Sequence, residues 1–372
     1  MTKRNLDNIY PTIKRILVFL VFLYLFLVSI ELMGASFKLM GKDFAETLIQ
    51  TTSNPLVGLF IGILATSIVQ SSSATTSIVV GMIAAGTLSL RGAIPIIMGA
   101  NLGTTVTNII VSMGHITRPT EFKRAFAGAT VHDFFNTLTV IIFLPLEYFT
   151  HYLEHSAIFL QELFSGIGGF KLLNPLKFIV KPVANQILNG IGLISTSELL
   201  IAGLGVFIAF VLLFLSLSRL VKLMKKVMIG RVEKLLHNYL FVNAGRSLIC
   251  GIVLTAIIQS SSVVTSLVVP LVGAGILTIE QIFPYTLGAN IGTTVTAMMA
   301  SLVTQNPTAI SAAFVHLLFN ISGILVWYPL RKVPISIAKW FGNIAAKKRY
   351  LAVVYVVVVF YVVPICLALL TR

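Results

Sequence analysis

Gln70-Ser71-Ser72-Ser73 and Gln259-Ser260-Ser261-Ser262 are two polar stretches inside otherwise apolar sequence. Each is followed further along the chain by Gly-Ala-Asn-(Leu/Ile)-Gly-Thr-Thr-Val-Thr, which begins at Gly99 in one copy and at Gly288 in the other. The offset between the copies is the same for both motifs (259 − 70 equals 288 − 99), so no insertion separates them in either copy. The chain is therefore an internal duplication of a polar element.

The amino-acid composition indicates whether this element is surrounded by water or by lipid. Of the 372 residues 57% are hydrophobic and only 10% are charged, with a mean hydropathy of +0.97, whereas charged residues make up about 25% of a soluble domain. Uncharged runs at 16–30, 199–218 and 350–371 approach or reach the ~20 residues of a spanning α-helix. They lack the alternation of an outer-membrane barrel. The sequence predicts an all-α polytopic protein of the cell (inner) membrane.

The net charge of +15 does not indicate nucleic-acid binding. Twenty of the 27 Lys and Arg residues fall in four short patches beside apolar segments, at 3–15, 118–124, 219–246 and 331–349. The positive-inside rule places all four patches in the cytoplasm. The charge therefore predicts orientation in a lipid bilayer, and no nucleic-acid partner is expected.

These patches predict a topology of two inverted repeats. The first repeat, 1–150, contains a helix at 14–34, a re-entrant hairpin at 55–89 with halves 55–69 and 74–89, a broken helix at 92–113 and a helix at 121–149. It crosses the membrane three times, so the second copy must begin on the opposite face. The second repeat, 198–335, contains a helix at 198–218, a hairpin at 243–278, a broken helix at 281–303 and a helix at 307–330. An extracytoplasmic linker, 151–197, joins the repeats, and 336–372 comprises a basic linker and an unduplicated terminal helix at 350–371.

The polar motifs predict a binding site. Non-helical backbone at membrane depth is tolerated only where protein buries it or where it lines a wet cavity. Helix N-termini in broken helices attract anions, while hydroxyl, amide and carbonyl oxygens suit Na⁺. Neither motif contains Lys or Arg, and an uncompensated buried charge costs several kcal/mol. A cation ~4 Å away attracts an anion by ~4 kcal/mol at an effective dielectric near 20. Sodium–anion cotransport follows, with no other cofactor, no transition metal and no catalytic residue expected.

Glycines in the second motif admit two interpretations. Gly103 and Gly292 are expected to let the backbone approach the ions and adopt left-handed angles. The alternative is that small Ser and Gly residues only allow helices to pack closely. Duplication of the whole Gln-Ser-Ser-Ser motif in register favours binding.

A second pair of matching segments, 127–136 and 311–320, follows the broken helices at a smaller offset, because the loop before the second segment is shorter. Both contain His and Asn at a spacing of four, which puts them on one helix face. Asp133 breaks the symmetry as the one carboxylate deep inside a predicted span, with Glu31 expected at the end of its helix. An intramembrane acid is a functional candidate, so Asp133 is expected to ligate an additional Na⁺ or to titrate. The alternative is a structural pairing with His132 or a basic residue.

At these residues the chain resembles the type II sodium-phosphate cotransporter family, whose signature is the paired Gln-Ser-Ser-Ser motif. The segment 121–136 is also similar to animal members, and the resemblance covers about 54–150 and 240–331. It implies inward movement of inorganic phosphate, as HPO₄²⁻, with Na⁺ by alternating access. The predicted phosphate site consists of the hairpin serines together with two asparagines: Ser71, Ser72, Ser73, Ser260, Ser261, Ser262, Asn101 and Asn290. The predicted sodium ligands are Gln70, Gln259, Ser260, Thr104, Thr293, Thr296, Asp133 and Asn136.

The resemblance also implies electrogenic transport. Charge-moving members are similar to this chain in having Ala-x-Ala before Val-His-Asp, here Ala127 and Ala129, which suggests that Asp133 with Asn136 holds an extra sodium. The chain departs from the pattern at His115 and Arg118, where such members typically carry Gln and Asp. It also lacks the long glycosylated outer loop of animal members, and in this compactness the chain resembles a prokaryotic homologue.

Other interpretations stay open at this point. A sodium-coupled dicarboxylate or sulfate carrier can use the same architecture. An intramembrane serine hydrolase would need an orienting base, and no Gly-x-Ser-x-Gly elbow is present. A non-transporting scaffold and a homodimer are also compatible with the sequence.

Overall fold

The computed structural model describes residues 3–166, 169–235 and 243–370, and the side chains of 13–166, 178–223 and 243–370. Within those ranges the chain forms helices joined by short turns, without a strand. The helices are α1 Lys3–Leu39, α2 Lys42–Thr51, α3 Pro55–Val69, α4 Ser72–Ala85, α5 Leu90–Gly103, α6 Val106–Ser112, α7 Pro119–Thr150, α8 Tyr152–Gly166, α9 Gly169–Gly192, α10 Glu198–Leu235, α11 Ala244–Ile258, α12 Ser261–Gly273, α13 Ile279–Thr304, α14 Pro307–Trp327, α15 Lys332–Lys347, α16 Tyr350–Val357 and α17 Val363–Leu370. Six of the predicted cytoplasmic basic side chains lie outside the described residues: Lys3, Arg4, Lys225, Lys226, Arg231 and Lys234.

Seven helical segments in the described part are long and apolar enough to cross a membrane. They are Ile13–Leu39, Leu90–His115, Pro119–Thr150, Glu198–Leu223, Ile279–Thr304, Pro307–Trp327 and Tyr350–Leu370. An eighth is present if α2 and α3, bent by 100°, count as one span. The prediction of an all-α, multi-pass membrane protein is confirmed, while the inverted orientation of the repeats and the re-entrant course of the hairpins remain predictions.

The two repeats use the same helix pairings. α3 packs along α5, and its counterpart α11 packs along α13, while the first helices of the repeats, α1 and α10, pack on each other. Glycine makes the first two contacts close: a Cβ built on Gly99 would lie 2.0 Å from the carbonyl oxygen of Leu59, and one on Gly288 would lie 2.0 Å from that of Leu248. Backbone-to-backbone approach of this kind is typical of small-residue helix interfaces in membranes.

The left-handed angles predicted for Gly103 and Gly292 are wrong, while the approach of their backbone to ions remains a prediction. Neither residue has a positive φ. Each instead faces the neighbouring helix, where a Cβ would lie 2.7 Å from the carbonyl oxygen of Ile63 in the first repeat and 2.6 Å from that of Ile252 in the second. Close packing, the alternative interpretation, accounts for both glycines.

The helix predicted at 92–113 has a short interruption, because α5 ends at Gly103 and α6 begins at Val106, within the single span Leu90–His115. The predicted break at 281–303 is wrong, because α13 runs without interruption from Ile279 to Thr304. The physical reason lies beside the first break. The N–H of Thr105 bonds to the carbonyl of Leu102, at the shorter spacing of a tight turn, and its hydroxyl lies 2.8 Å from that carbonyl and 3.0 Å from Oδ1 of Asp133.

The second repeat lacks the acceptor that accompanies the first break. Leu317 occupies the position that corresponds to Asp133. The hydroxyl of Thr294, the counterpart of Thr105, donates to Ile291 of its own helix at 2.7 Å. The continuous α13 therefore has an apolar neighbour at the position where the α5–α6 break has a carboxylate.

Segments outside the repeats are more helical than predicted. The linker 151–197 contains α8, which packs on α14, and α9, which packs on α1. Inside the first repeat, α1 also runs further than predicted, to Leu39, so Glu31 lies within it rather than at its end. The basic linker contains α15, and a π-helical segment, Val358–Val362, joins α16 to α17.

Candidate functional site

Both Gln-Ser-Ser-Ser motifs form the same tight turn between two half-length helices. Gln70 ends α3 in a left-handed conformation (φ 58°, ψ 26°), and Gln259 ends α11 in nearly the same one (φ 62°, ψ 26°). Ser71 and Ser260 follow with extended backbone and cap the next helices, where their hydroxyls accept from the N–H groups of Ala74 at 3.2 Å and Val263 at 3.3 Å. A left-handed non-glycine residue carries a conformational cost, and both copies of the motif carry it, as do the helix ends at His151 and Gln305.

The glutamine side chains join each turn to the helix that follows the hairpin. Thr107 donates to Oε1 of Gln70 at 2.7 Å, and Thr296 donates to Oε1 of Gln259 at 2.6 Å. The Nε2 of each Gln donates to a backbone carbonyl in the preceding turn of its own helix. The two threonines occupy corresponding positions of the duplication, so the pairing repeats in register.

The serines that follow are buried and the two turns meet. Ser72, Ser73, Ser261 and Ser262 are all at most 5% exposed at the N-termini of α4 and α12. The Oγ of Ser73 donates to the carbonyl of Gln259 at 3.5 Å, which links one turn to the other. Two helix N-termini with hydroxyl groups therefore converge, an arrangement suited to an anion.

A symmetric network of Asn and His ties the two repeats together beside the turns. Asn101 donates to Asn320 at 3.0 Å and contacts His316 at 3.0 Å. In the mirrored arrangement Asn290 donates to Asn136 at 2.8 Å and contacts His132 at 2.6 Å. All six side chains are buried. Because every one of these bonds crosses from one repeat to the other, the network fixes how the repeats sit in this conformation.

Asp133 lies outside that symmetric network and is completely buried. Its Oδ1 accepts from the hydroxyl of Thr105 at 3.0 Å, and its Oδ2 accepts from the hydroxyl of Tyr355. Among the described residues no ion pair includes Asp133. The structural alternative, a pairing of Asp133 with His132 or a basic residue, is therefore not what the structure contains.

The predicted ligands fall into three groups. Gln259 contacts Thr296 directly, and the serines of both hairpins converge at the turns. Thr104 and Thr293 donate to carbonyls of their own helices, at 2.9 and 3.0 Å. Asn101, Asn290 and Asn136 belong to the Asn–His network, so Asn136 and Asp133 have different partners.

Three site residues were missed by the sequence reasoning. Thr107 was detectable, since the duplication pairs it with the predicted Thr296. Asn108, which accepts from Thr265 of the second hairpin at 2.9 Å, is an amide inside an apolar helix and so carried a weak signal. Tyr355 lies in the unduplicated last helix, and no pattern in the sequence points to it.

Comparison with known proteins gives one family. The family described as Na⁺/Pi-cotransporter matches residues 25–171 and 212–346. Sodium-dependent phosphate transport protein 2B of Pongo abelii is 35% identical over 98% of this chain, and that of Homo sapiens 36% over 84%. Protein 2A of Rattus norvegicus is 37% identical over 84%. The chain spans 58–66% of the length of these relatives, and no solved structure matches it.

Proposed function

The chain belongs to the Na⁺/Pi-cotransporter family, and on that premise we propose that it is a secondary active transporter which carries inorganic phosphate into the cell with Na⁺. The relatives named above are sodium-dependent phosphate transport proteins. The single observation that carries the proposal is the pair of matching turns, joined by Ser73 and Gln259. In this proposal phosphate lies against the serine hydroxyls and the N-termini of α4 and α12.

The absence of Lys and Arg from both motifs supports coupling to a cation. A divalent phosphate held by hydroxyls and helix dipoles keeps most of its charge uncompensated, which costs several kcal/mol in a dry site. Oxygen ligands for a hard cation are present beside it, in the Gln70–Thr107 and Gln259–Thr296 pairs. Na⁺ is therefore a co-substrate that supplies the countercharge, and each ion raises the affinity of the other.

Two finer features complete the proposal. Asp133, a buried carboxylate without a cationic partner among the described residues, binds an additional Na⁺ and makes transport of HPO₄²⁻ electrogenic. The two repeats exchange the side to which the turns open, and the Asn–His network is broken and remade as they move.

Uptake into proteoliposomes tests the proposal. Radiolabelled phosphate should accumulate under an inward Na⁺ gradient and not under a choline gradient. Unlabelled phosphate should compete, while sulfate and succinate should not, because competition by either would favour the dicarboxylate or sulfate carrier. Ser71→Ala and Ser260→Ala should lower uptake strongly. Ser216→Ala is the matched control, since Ser216 is buried on α10 and its hydroxyl donates to Leu213 of its own helix.

A further inference from the structure

The last membrane span contributes a side chain to the buried carboxylate beside the α5–α6 break. Tyr355, on α16, donates its hydroxyl to Oδ2 of Asp133. The hydroxyl of Thr105 lies 3.0 Å from Oδ1 and 2.8 Å from the carbonyl oxygen of Leu102, so these two acceptors share one donor. Each carboxylate oxygen thus has a hydroxyl donor. The two donors come from different elements, the α5–α6 break and the helix that follows both repeats.

This arrangement is confined to the first repeat. The counterpart of Asp133 is Leu317, so Thr294, the counterpart of Thr105, has only the bond to the carbonyl three residues back that both threonines make. α16 and α17 have no duplicate in the sequence. An unduplicated helix therefore meets an unduplicated acid, which is the observation from which the inference starts.

We infer that Tyr355 is a positioning residue for the cation that binds Asp133. The inference rests on the proposed function, in which Asp133 holds a sodium. A carboxylate that accepts a hydrogen bond on each oxygen has a fixed plane, and its remaining lone pairs point in fixed directions. Because the carboxylate is already ordered, binding of the cation loses less conformational entropy. Charge-assisted bonds are also the stronger class of hydrogen bond.

The surroundings of Tyr355 hold its ring in place. The ring lies 4.8 Å from that of Phe341 on α15 and 6.0 Å from that of Phe360 in the π-helical segment, centroid to centroid. Further along the same span, Tyr361 donates to the carbonyl of Ser67 on α3 at 3.0 Å. The last span therefore has two tyrosine hydroxyls that reach the first repeat, and Tyr355 is the one that contacts the acid.

That difference provides a matched control. Tyr355→Phe removes the hydroxyl next to Asp133, and Tyr361→Phe removes an equivalent hydroxyl from the same span. Equilibrium binding of radiolabelled Na⁺ to the purified full chain, without phosphate, reports on the site directly. Selectivity for Na⁺ over Li⁺ is measured on the same samples, because a loss of helix packing alone does not change the ratio.

Asp133→Asn should abolish one Na⁺ site. We expect Tyr355→Phe to lower the Na⁺ affinity of that site about tenfold, equivalent to about 1.4 kcal/mol, and to reduce its selectivity for Na⁺ over Li⁺. Tyr361→Phe should stay within about twofold of the unsubstituted chain. In the Asp133→Asn background, Tyr355→Phe should have no further effect, since the two residues act as a unit. Thr105→Val, which removes the other donor, should shift Na⁺ binding in the same direction and serves if Tyr355→Phe does not fold.

Three results would overturn the inference: unchanged Na⁺ binding in Tyr355→Phe, an equal loss in Tyr361→Phe, or a further loss in the Asp133→Asn background. Failure of the proposed function is a different outcome. In that case the unsubstituted chain itself would bind no Na⁺, and phosphate uptake would not depend on it.

Discussion

The two Ser-rich turns are near copies, whereas the helices that follow them are not. Gln70 and Gln259 differ by 4° in φ (62° − 58°) and share ψ, and their side chains accept from threonines that correspond to each other. Beyond the turns, the first repeat contains the α5–α6 break next to the buried Asp133. The second repeat contains the continuous helix α13, and Leu317 occupies the position of Asp133.

This contrast separates two kinds of residue. In the proposed transport cycle, features present in both repeats form the anion site that must open to both sides of the membrane. Features present in one repeat add something that the symmetric element lacks. In this protein the addition is a carboxylate and a tyrosine from outside the duplication, whereas the threonine beside the carboxylate is itself duplicated.

The largest effect should come from the duplicated glycine contacts. Gly99→Ala and Gly288→Ala each put a Cβ 2.0 Å from a backbone carbonyl oxygen, so we expect a loss of about 3 kcal/mol or more of stability in both. Thermal unfolding and the yield of monodisperse protein measure it. Gly203→Ala is the control, because nothing lies within 4 Å of its Cβ. Loss of folded protein from only one variant would show that the two helix crossings are not equivalent.

A large functional effect is expected from the asymmetric acid. Asp133→Asn should keep phosphate uptake but remove its dependence on membrane potential, because the additional cation no longer moves. Uptake at imposed potassium-diffusion potentials measures this. Leu317→Asn, at the corresponding position of the second repeat, is the control and should leave the voltage dependence intact. An unchanged inward current in Asp133→Asn would contradict the assignment of a cation to this site.

A smaller effect is expected from the turn glutamine. Gln259→Ala removes the acceptor of Thr296, and we expect the Na⁺ concentration for half-maximal uptake to rise about tenfold while protein abundance falls little. Gln305→Ala controls for the backbone, since Gln305 is also left-handed (φ 51°) but lies outside the hairpins. Equal loss of uptake and of folded protein would point to a folding effect instead.

The smallest effect concerns one threonine pair that the duplication did not preserve. Thr66 donates to Thr75 at 2.9 Å, but the counterpart of Thr75 is Val264, and the hydroxyl of Thr255 is buried without a partner in the described part of the chain. Thr66→Val should therefore lower the free energy of unfolding by about 1 kcal/mol, and Thr255→Val should leave it unchanged or raise it. Thermal unfolding of the two variants side by side decides this. A greater loss from Thr255→Val would mean that its hydroxyl is bonded after all.

Local patterns account for what could be predicted. The predicted first half of the hairpin, 55–69, has the same bounds as α3. Pro55 marks the start of the helix and the polar turn marks its end, so the apolar run between them fixes both bounds. The membrane class followed from composition. The register of the duplication pairs Gln70 with Thr107 as it pairs Gln259 with Thr296, and both contacts are present.

What could not be predicted depends on tertiary contacts. Gly103 suits both a left-handed turn and a close crossing, and only the approach of Ile63 decides between them. The break after α5 lies against a residue on another helix, Asp133, and the sequence motif that α5 shares with α13 carries no information about that neighbour. Tyr355 and Asp133 are separated by 222 residues, and no periodicity connects them.

Binding of radiolabelled phosphate to the purified protein, in sodium and in choline at equal ionic strength, tests the central claim most directly. If the anion in the paired turns is neutralised only by cations that bind with it, phosphate binds in sodium and is lost in choline. Equal binding in both buffers would contradict the account.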